Sequence, residues 1–418
     1  MPSLPSPHFS APHEQIPRAA GSANVLPLPL GELEALELTV LIPCLNEADT
    51  LGYCIDTART AIDALGIAAE IIVADNGSTD GSVALAKQHG ARVVPVEQKG
   101  YGHALMGGIA AARGKYIIMG DADASYDFAE IPRFLRKLRE GNALVQGCRL
   151  ETGGGTVLPG AMPVLHRWVG NPFFSMIARL CYKAPIHDVN CGLRGFTKEL
   201  SKQLDQRCTG MEFAVEMVAK SALMRVPIAE VPITLHPDRR INRAPHLKTF
   251  RDGWRTLRFF LLYSPRWLFL YPGIGLILFG LIGYALGMPG TKIRGIGLDV
   301  HTLLLSTASI LIGFQAILFS VSAKTFAITE GLLPDDPKFS RLFRYFTLER
   351  GLIVGAAGLL LGAALILWTL NEWRLVGFSA LDYQRSMRIA LPGVMFLTLG
   401  VQLVLGSFFL SILGMRRN

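Results

Sequence analysis

Four stretches in the C-terminal half carry no charged side chain over about twenty positions each: LFLYPGIGLILFGLIGYALG from Leu268, VHTLLLSTASILIGFQAILFSVS from Val300, GLIVGAAGLLLGAALILWTL from Gly351 and IALPGVMFLTLGVQLVLGSFFL from Ile389. An α-helix of about 20 apolar residues crosses the roughly 30 Å hydrocarbon layer of a bilayer, and runs this long are rarely core helices of a water-soluble domain. They predict a transmembrane domain over 268–413 with spans at about 268–287, 300–322, 351–370 and 389–411. Gly351, Gly355, Gly358 and Gly362 recur at spacings of three and four, which lets a neighbouring helix approach closely, within the chain or in a homo-oligomer.

Loop charges set the expected orientation. Arg251, Arg255, Arg258 and Arg266 precede the first span, Lys324, Lys338, Arg341, Arg344 and Arg350 lie between the second and third, and Arg416 and Arg417 end the chain. These segments belong on the cytoplasmic side, with both termini and everything ahead of the first span. The segments around Lys292 to Asp299 and Asn371 to Arg388 belong outside, although Arg374, Arg385 and Arg388 weaken the contrast. The expected location is a multi-pass protein of a bacterial inner membrane. The net charge of +8 collects beside hydrophobic spans, which points to lipid phosphate and away from nucleic acid.

Residues 1–36, rich in Pro, Ser, Ala and His, lack the basic and apolar regions of a signal peptide and read as a disordered tail. Cys44, Cys54, Cys148, Cys181, Cys191 and Cys208 are scattered without a CxxC pair, which suits a reducing cytosol and gives no zinc site. From Leu38 to about Arg149, short apolar runs alternate with helical stretches, the pattern of a parallel sheet covered by helices on both faces. The strands read as LTVLIP from Leu38, EIIVAD from Glu70, ARVVPV from Ala91, KYIIMG from Lys115 and ALVQG from Ala143. Ser78, Thr79 and Asp80 are placed to cap the helix after the second strand.

In open sheets of this kind ligands gather beyond the carboxyl ends of the strands. Three acidic loops lie there: CLNEADT with Glu47, DNGSTD with Asp75 and Asp80, and DADASYD with Asp121, Asp123 and Asp127. In an extended loop Asp121 and Asp123 point to opposite sides, so one binds an ion and the other something beside it. Mg²⁺ and Mn²⁺ are held by one or two carboxylates together with phosphate oxygens and water, which implies a diphosphate ligand.

In this order LIPCLNE, VADNGSTDGS, QKGYGHA, DADAS, QGCR, DVNCGLRGF and RAPHLKTFRDGWR resemble the polyprenyl-phosphate glycosyltransferases, the dolichol-phosphate mannose and glucose synthase group of glycosyltransferase family 2, over about residues 37–265. The resemblance implies a GT-A fold, Rossmann-like α/β, over 37–245 and transfer of a hexose from a nucleotide diphosphate sugar to a lipid phosphate with inversion. UDP-glucose and GDP-mannose types of donor both remain open. It assigns Pro43, Leu45, Glu47, Asp75, Lys99, Gly100 and Asp121 to the donor, and Asp123 with Asp121 to Mg²⁺ or Mn²⁺. The chain has Ser125 where some relatives have Gln, Cys44 and Leu45 where Tyr is frequent, and Asn76 after Asp75.

At pH 7 a polyprenyl phosphate, with its second pKa near 6, is mostly dianionic and already nucleophilic, so its site needs cations more than a general base. Matching motifs offer Arg149, Arg194, Arg243 and Lys248 for the acceptor phosphate; Asp188 orients the acceptor or those arginines. The catalytic set is thus Asp121, Asp123, Arg149, Asp188 and Arg194. Glu212 and Glu216, four apart, read equally as a helix-surface pair. Over the juxtamembrane segment 246–267, Leu247, Phe250, Trp254, Leu257 and Leu261 recur at helical spacing, as in a helix lying in the membrane interface.

Two rival readings share the sheet. A processive polysaccharide synthase needs a QxxRW motif, but VLHRW ending at Trp168 has Val164 in place of the Gln. A catalytically dead, membrane-tethered nucleotide-sugar-binding protein would not need Asp75, Asp121, Asp123 and Arg149 together. The Gly-rich TGGGT from Thr152 follows the fifth strand, too late for a nucleotide phosphate loop, and reads as a mobile loop over the site.

Overall fold

The computed structural model of the chain describes residues 36–240, 249–333, 336–337, 339, 341 and 347–414. Arg243 and Lys248, the N-terminal tail, and Arg416 with Arg417 lie outside the described residues. Strand β1 (Leu38–Cys44) is buried along its whole length, as a strand covered on both faces must be. Leu38, Val40 and Ile42 join one apolar layer with Ile55 of α1 (Leu51–Leu65) and Phe134 of α4 (Ile131–Arg139); Leu41 joins the opposite layer with Leu105 of α3 (Tyr101–Ala111).

β1 pairs in parallel with β2 (Ala69–Asp75) on one side and β4 (Tyr116–Met119) on the other, and β2 pairs in parallel with β3 (Arg92–Pro95). Cys44 stands opposite Asp75 and Leu41 opposite Met119, so the three acidic loops leave the same edge of the sheet. The five strands expected between Leu38 and Arg149 run the same way, and a further strand from beyond that stretch is inserted among them. The order is β3-β2-β1-β4-β7-β5-β8, with β7 (Arg194–Thr197) antiparallel between β4 and β5 (Leu144–Cys148), and β8 (Ile228–Pro232) parallel to β5. β7 escapes notice in sequence because RGFT is short and begins with a charge, without the apolar run that marked its neighbours.

Two short strands, β6 (Thr156–Val157) and β9 (Thr234–Leu235), pair in parallel beside the crevice. The TGGGT stretch is therefore not a free flap. It turns tightly, and a Cβ on Gly155 would collide with the backbone carbonyl of Cys148.

Helix α2 (Ser82–Gln88) begins after Gly81, which stands at its N-cap without a side-chain cap; of the expected capping residues, Asp80 Oδ1 accepts from Ser82 N at 3.1 Å, while Ser78 Oγ accepts from Asn46 N at 2.8 Å. Helices α5 (Asn171–Tyr182), α6 (Lys198–Leu204), α7 (Glu212–Met224) and α8 (Thr249–Leu262) cover the second face. Glu216 is not a helix-surface residue. It is fully buried, pairs with Lys220 at 2.8 Å and accepts from the backbone nitrogens of Arg207 and Cys208.

Four helical segments are long and apolar enough to cross a membrane: Arg266–Gly287, Val300–Thr329, Leu348–Leu375 and Tyr383–Gly414. Glycines join them in pairs. A Cβ on Gly273 would lie 2.8 Å from Gly313 O in the second helix, and one on Gly362 would collide with Leu397 N in the fourth. The glycine spacing of the third span is thus used inside the chain, against the fourth.

Candidate active site

Each acidic loop is shaped by its own carboxylates before any ligand arrives. Asp75, at the end of β2, accepts from Gly77 N at 3.0 Å and Ser78 N at 3.2 Å. The first loop is docked on the second through Asn46 N to Ser78 Oγ at 2.8 Å, Glu47 N to Ser82 Oγ at 2.9 Å and Ala48 N to Asp80 Oδ2 at 3.1 Å. Pro43 is buried opposite Ala74, and Leu45 follows at the mouth of the loop. Lys99 donates to Asn76 O at 2.6 Å, and Gly100 N donates to Asn76 Oδ1 at 2.8 Å, so QKG and DNGS form one wall.

The third loop turns sharply: Ala124 has φ +59°, a left-handed conformation that costs a non-glycine residue energy and is frequent at functional sites. Thr50 Oγ1 grips Ala122 O at 2.6 Å, and Asp123 Oδ1 accepts from Ser125 N at 3.0 Å. Although the loop turns where an extended run was expected, Asp121 and Asp123 find different partners. Asp121 Oδ1 accepts from Tyr101 Oη at 2.9 Å, while Asp123 Oδ2 lies 3.7 Å from Arg240 Nη2. Burial, and then the neighbouring Asp123 charge, push the Asp121 carboxyl up to about 6.

Arg240 went unnoticed in the sequence. Its guanidinium donates through Nε and Nη2 to Glu47 at 2.8 and 2.6 Å and through Nη1 to Asp238 at 2.8 Å. Its backbone lies along the DADAS loop, with His236 N to Ser125 O at 2.9 Å and Arg239 N to Asp123 O at 3.4 Å. The Arg239 guanidinium sits 4.4 Å from the ring centroid of Tyr53. The signal available is the DRR run of Asp238, Arg239 and Arg240, shortly after β9.

Arg149, at the end of β5, forms a buried bidentate pair with Asp188: Nε to Oδ2 at 2.7 Å and Nη2 to Oδ1 at 2.8 Å, with its backbone nitrogen on Oδ2 at 3.0 Å. Nη1 reaches Tyr126 Oη at 3.4 Å, and that hydroxyl also accepts from Gly192 N at 2.8 Å. Burial alone would lower the Arg149 pKa; the Asp188 carboxylate outweighs it and holds the charge. Asp188 is itself positioned by Glu230 of β8, which accepts from Asp188 N at 3.1 Å and His187 N at 2.7 Å.

The structure does not bring Arg194 to the crevice. Its side chain is fully buried in β7 and donates to the backbone carbonyls of Ala214 and Cys191, because the extra strand carries it into the sheet. Burial lowers the Arg194 pKa, and the nearby Tyr101 and Asp121 oppose that shift.

A second missed feature is the apolar surface of α5 and of the helical turns over residues 164–170 that lead into it. Val164, Trp168, Phe173, Met176 and Leu180 are exposed at helical spacing, and Phe174 and Tyr182 stack on Phe260 of α8 at 6.2 and 5.8 Å. α8 adds exposed Phe250 and Trp254, while its Phe259 and Phe260 face the catalytic core. The spacing is visible in VLHRWVGNPFFSMIARL, from Val164 to Leu180.

Among the described residues no group of three or more His, Cys, Asp or Glu side chains is placed to hold a metal. Asp121 and Asp123 supply hard oxygen donors that suit Mg²⁺ or Mn²⁺ only if a diphosphate and water complete the shell.

Two family descriptions match the chain, "Glycosyl transferase family 2" over residues 39–205 and "Glycosyltransferase family 2 C-terminal transmembrane region" over 321–414. The low-salt glycan biosynthesis hexosyltransferase Agl6 of Haloferax volcanii is 38% identical over 378 residues, covering 90% of this chain and 89% of the relative. A dolichyl-phosphate hexose transferase of the same organism is 30% identical over 47% of this chain and 82% of its own length. Among solved structures, glucosyl-3-phosphoglycerate synthase from Mycobacterium tuberculosis in complex with Mn²⁺, UDP and glucosyl-3-phosphoglycerate aligns at TM-score 0.43 and 23% identity, covering 55% of this chain and 80% of that one.

Proposed function

The chain belongs to glycosyltransferase family 2, and from that premise we propose that it transfers a hexose from a nucleotide diphosphate sugar to the phosphate of a polyprenyl phosphate, with inversion at the anomeric carbon. The observation that carries this reading is the nearness of the acidic crevice to an apolar, aromatic surface. Arg240, on the carboxylates, stands nine positions ahead of Thr249, where α8 begins. Nine residues span at most about 30 Å, so the crevice is tethered close to the exposed Phe250 and Trp254, which suit a membrane interface. The name of the Haloferax volcanii dolichyl-phosphate hexose transferase supports the same acceptor class.

In this reading Glu47, Asp75, Lys99 and Gly100 line the donor side. Asp123, with Asp121 beside it, holds Mg²⁺ or Mn²⁺, which offsets diphosphate charge when bound. The acceptor phosphate meets Arg149, whose Nη1 is the guanidinium nitrogen not committed to Asp188. Arg243 and Lys248 add positive charge from the segment ahead of α8. A lipid phosphate oxygen attacks the anomeric carbon as the bond from that carbon to the donor diphosphate breaks, leaving a nucleoside diphosphate. No protein base is needed, because the acceptor is ionised at pH 7. Asp188 and Glu230 fix the direction of Arg149, and Tyr101 holds Asp121, so positioning and charge supply the rate.

In this reading the catalytic domain lies on the cytoplasmic face, which the excess of Lys and Arg ahead of the first span and between the second and third supports. The test is a panel of labelled nucleotide sugars incubated with the purified full chain and polyprenyl phosphate. One label should enter the organic phase only when both polyprenyl phosphate and a divalent ion are present. Label that stays in water with every donor would overturn the proposal.

A further inference from the structure

Arg240 brings the one guanidinium that meets both Glu47 and Asp123 among the described residues. Its guanidinium is nearly buried, forks onto Glu47, binds Asp238 and stands 3.7 Å from Asp123 Oδ2. The planar fork suits bidentate carboxylate pairing, which fixes its position more tightly than a lysine would be fixed. A divalent ion bound about 2.1 Å from Asp123 Oδ2 would lie within about 6 Å of Arg240 Nη2. Inside a partly desolvated crevice two such cations repel strongly unless anions join them. A nucleotide diphosphate brings those anions and offers the guanidinium a new partner.

Resting on the reading that Asp123 holds the metal ion, we propose that Arg240 competes with the metal for the donor-side carboxylates, so that the ion binds poorly alone and well together with nucleoside diphosphate. Arg240 thereby sets the order of binding and spares the enzyme a crevice of unpaired carboxylates between turnovers. The strap that carries it is pinned to the DADAS loop by His236 and Arg239 backbone nitrogens, so the guanidinium can change partners without the strap leaving.

The experiment uses the full chain in lipid nanodiscs and Mn²⁺ alone, with free Mn²⁺ counted by electron paramagnetic resonance. Arg240→Gln should bind Mn²⁺ at least about tenfold more tightly than wild type in the absence of nucleotide, and Arg240→Lys should fall between them. Saturating UDP or GDP, whichever the protein binds, should shrink the difference to less than about threefold. Near-UV circular dichroism checks that each variant is folded; if Arg240→Gln is not, Arg240→Lys carries the comparison, at about threefold tighter than wild type. Folded variants that bind Mn²⁺ no more tightly than wild type would overturn the exchange, and if Asp123→Asn still abolishes Mn²⁺ binding the metal reading survives that result. Wild-type Mn²⁺ binding that Asp123→Asn leaves unchanged would remove the metal reading itself, and this inference with it.

Discussion

In the catalytic half, buried charges meet one another: Arg149 closes on Asp188, Lys220 on Glu216 and Arg240 on Glu47. In the membrane half, backbones meet where side chains are absent: Gly273 faces Gly313, and Gly355 and Gly362 face Gly400 and Leu397. The difference follows from the two solvents. Water drives apolar side chains of the first half together without further help, so charged groups are free to shape a site at its edge. Lipid gives apolar helices no reason to prefer one another, and close approach through small residues must supply the specificity. One half is expected to fail in function when a charge is altered, the other in assembly when a methyl group is added.

The largest effect should come from Asp123→Asn, with turnover falling on the order of 10² to 10⁴-fold while thermal unfolding of the membrane half stays unchanged. EDTA should mimic it in the wild type. Near-normal turnover in either case would break the assignment of chemistry to this loop. Next comes Asp188→Ala, which leaves the Arg149 guanidinium buried without its partner and should cost roughly 3–5 kcal/mol, read as a lower midpoint in denaturant. A loss of activity with unchanged stability would instead make Asp188 a direct contact of substrate.

Gly362→Ala should cost about 1–3 kcal/mol, because its Cβ would meet the Leu397 backbone and not a yielding side chain. Turnover per folded molecule should remain near normal. The smallest effect sharpens the comparison at the join between the halves. Lys248→Ala should raise the apparent KM for polyprenyl phosphate by about tenfold and leave donor affinity by calorimetry unchanged, whereas Asp75→Ala should weaken donor binding with or without lipid.

The membrane half was legible because each span repeats one message, absence of charge, for about twenty positions. The strands β1, β2, β4 and β5 were legible for the same reason on a shorter scale. β7 was not, since its register depends on Gly195 and Phe196 meeting β4 and β5, partners some fifty to eighty positions away. The acidic loops were found by their place after strands. Arg240 was missed because its meaning lies in Glu47, 193 positions earlier in the chain. Arg194 was misplaced for the converse reason: a motif names the residue but not the strand that turns it inward. The apolar face of α5 could have been read from its periodicity alone.

In the proposed reaction the sugar arrives on a phosphate oxygen of the lipid. Following a reaction of the full chain, donor and polyprenyl phosphate by ³¹P nuclear magnetic resonance tests it directly. The lipid phosphomonoester signal should convert to a phosphodiester in step with released nucleoside diphosphate, and neither should change with Asp123→Asn. Nucleoside diphosphate released while the phosphomonoester signal stays constant would show that the sugar goes to another acceptor, and would contradict the account.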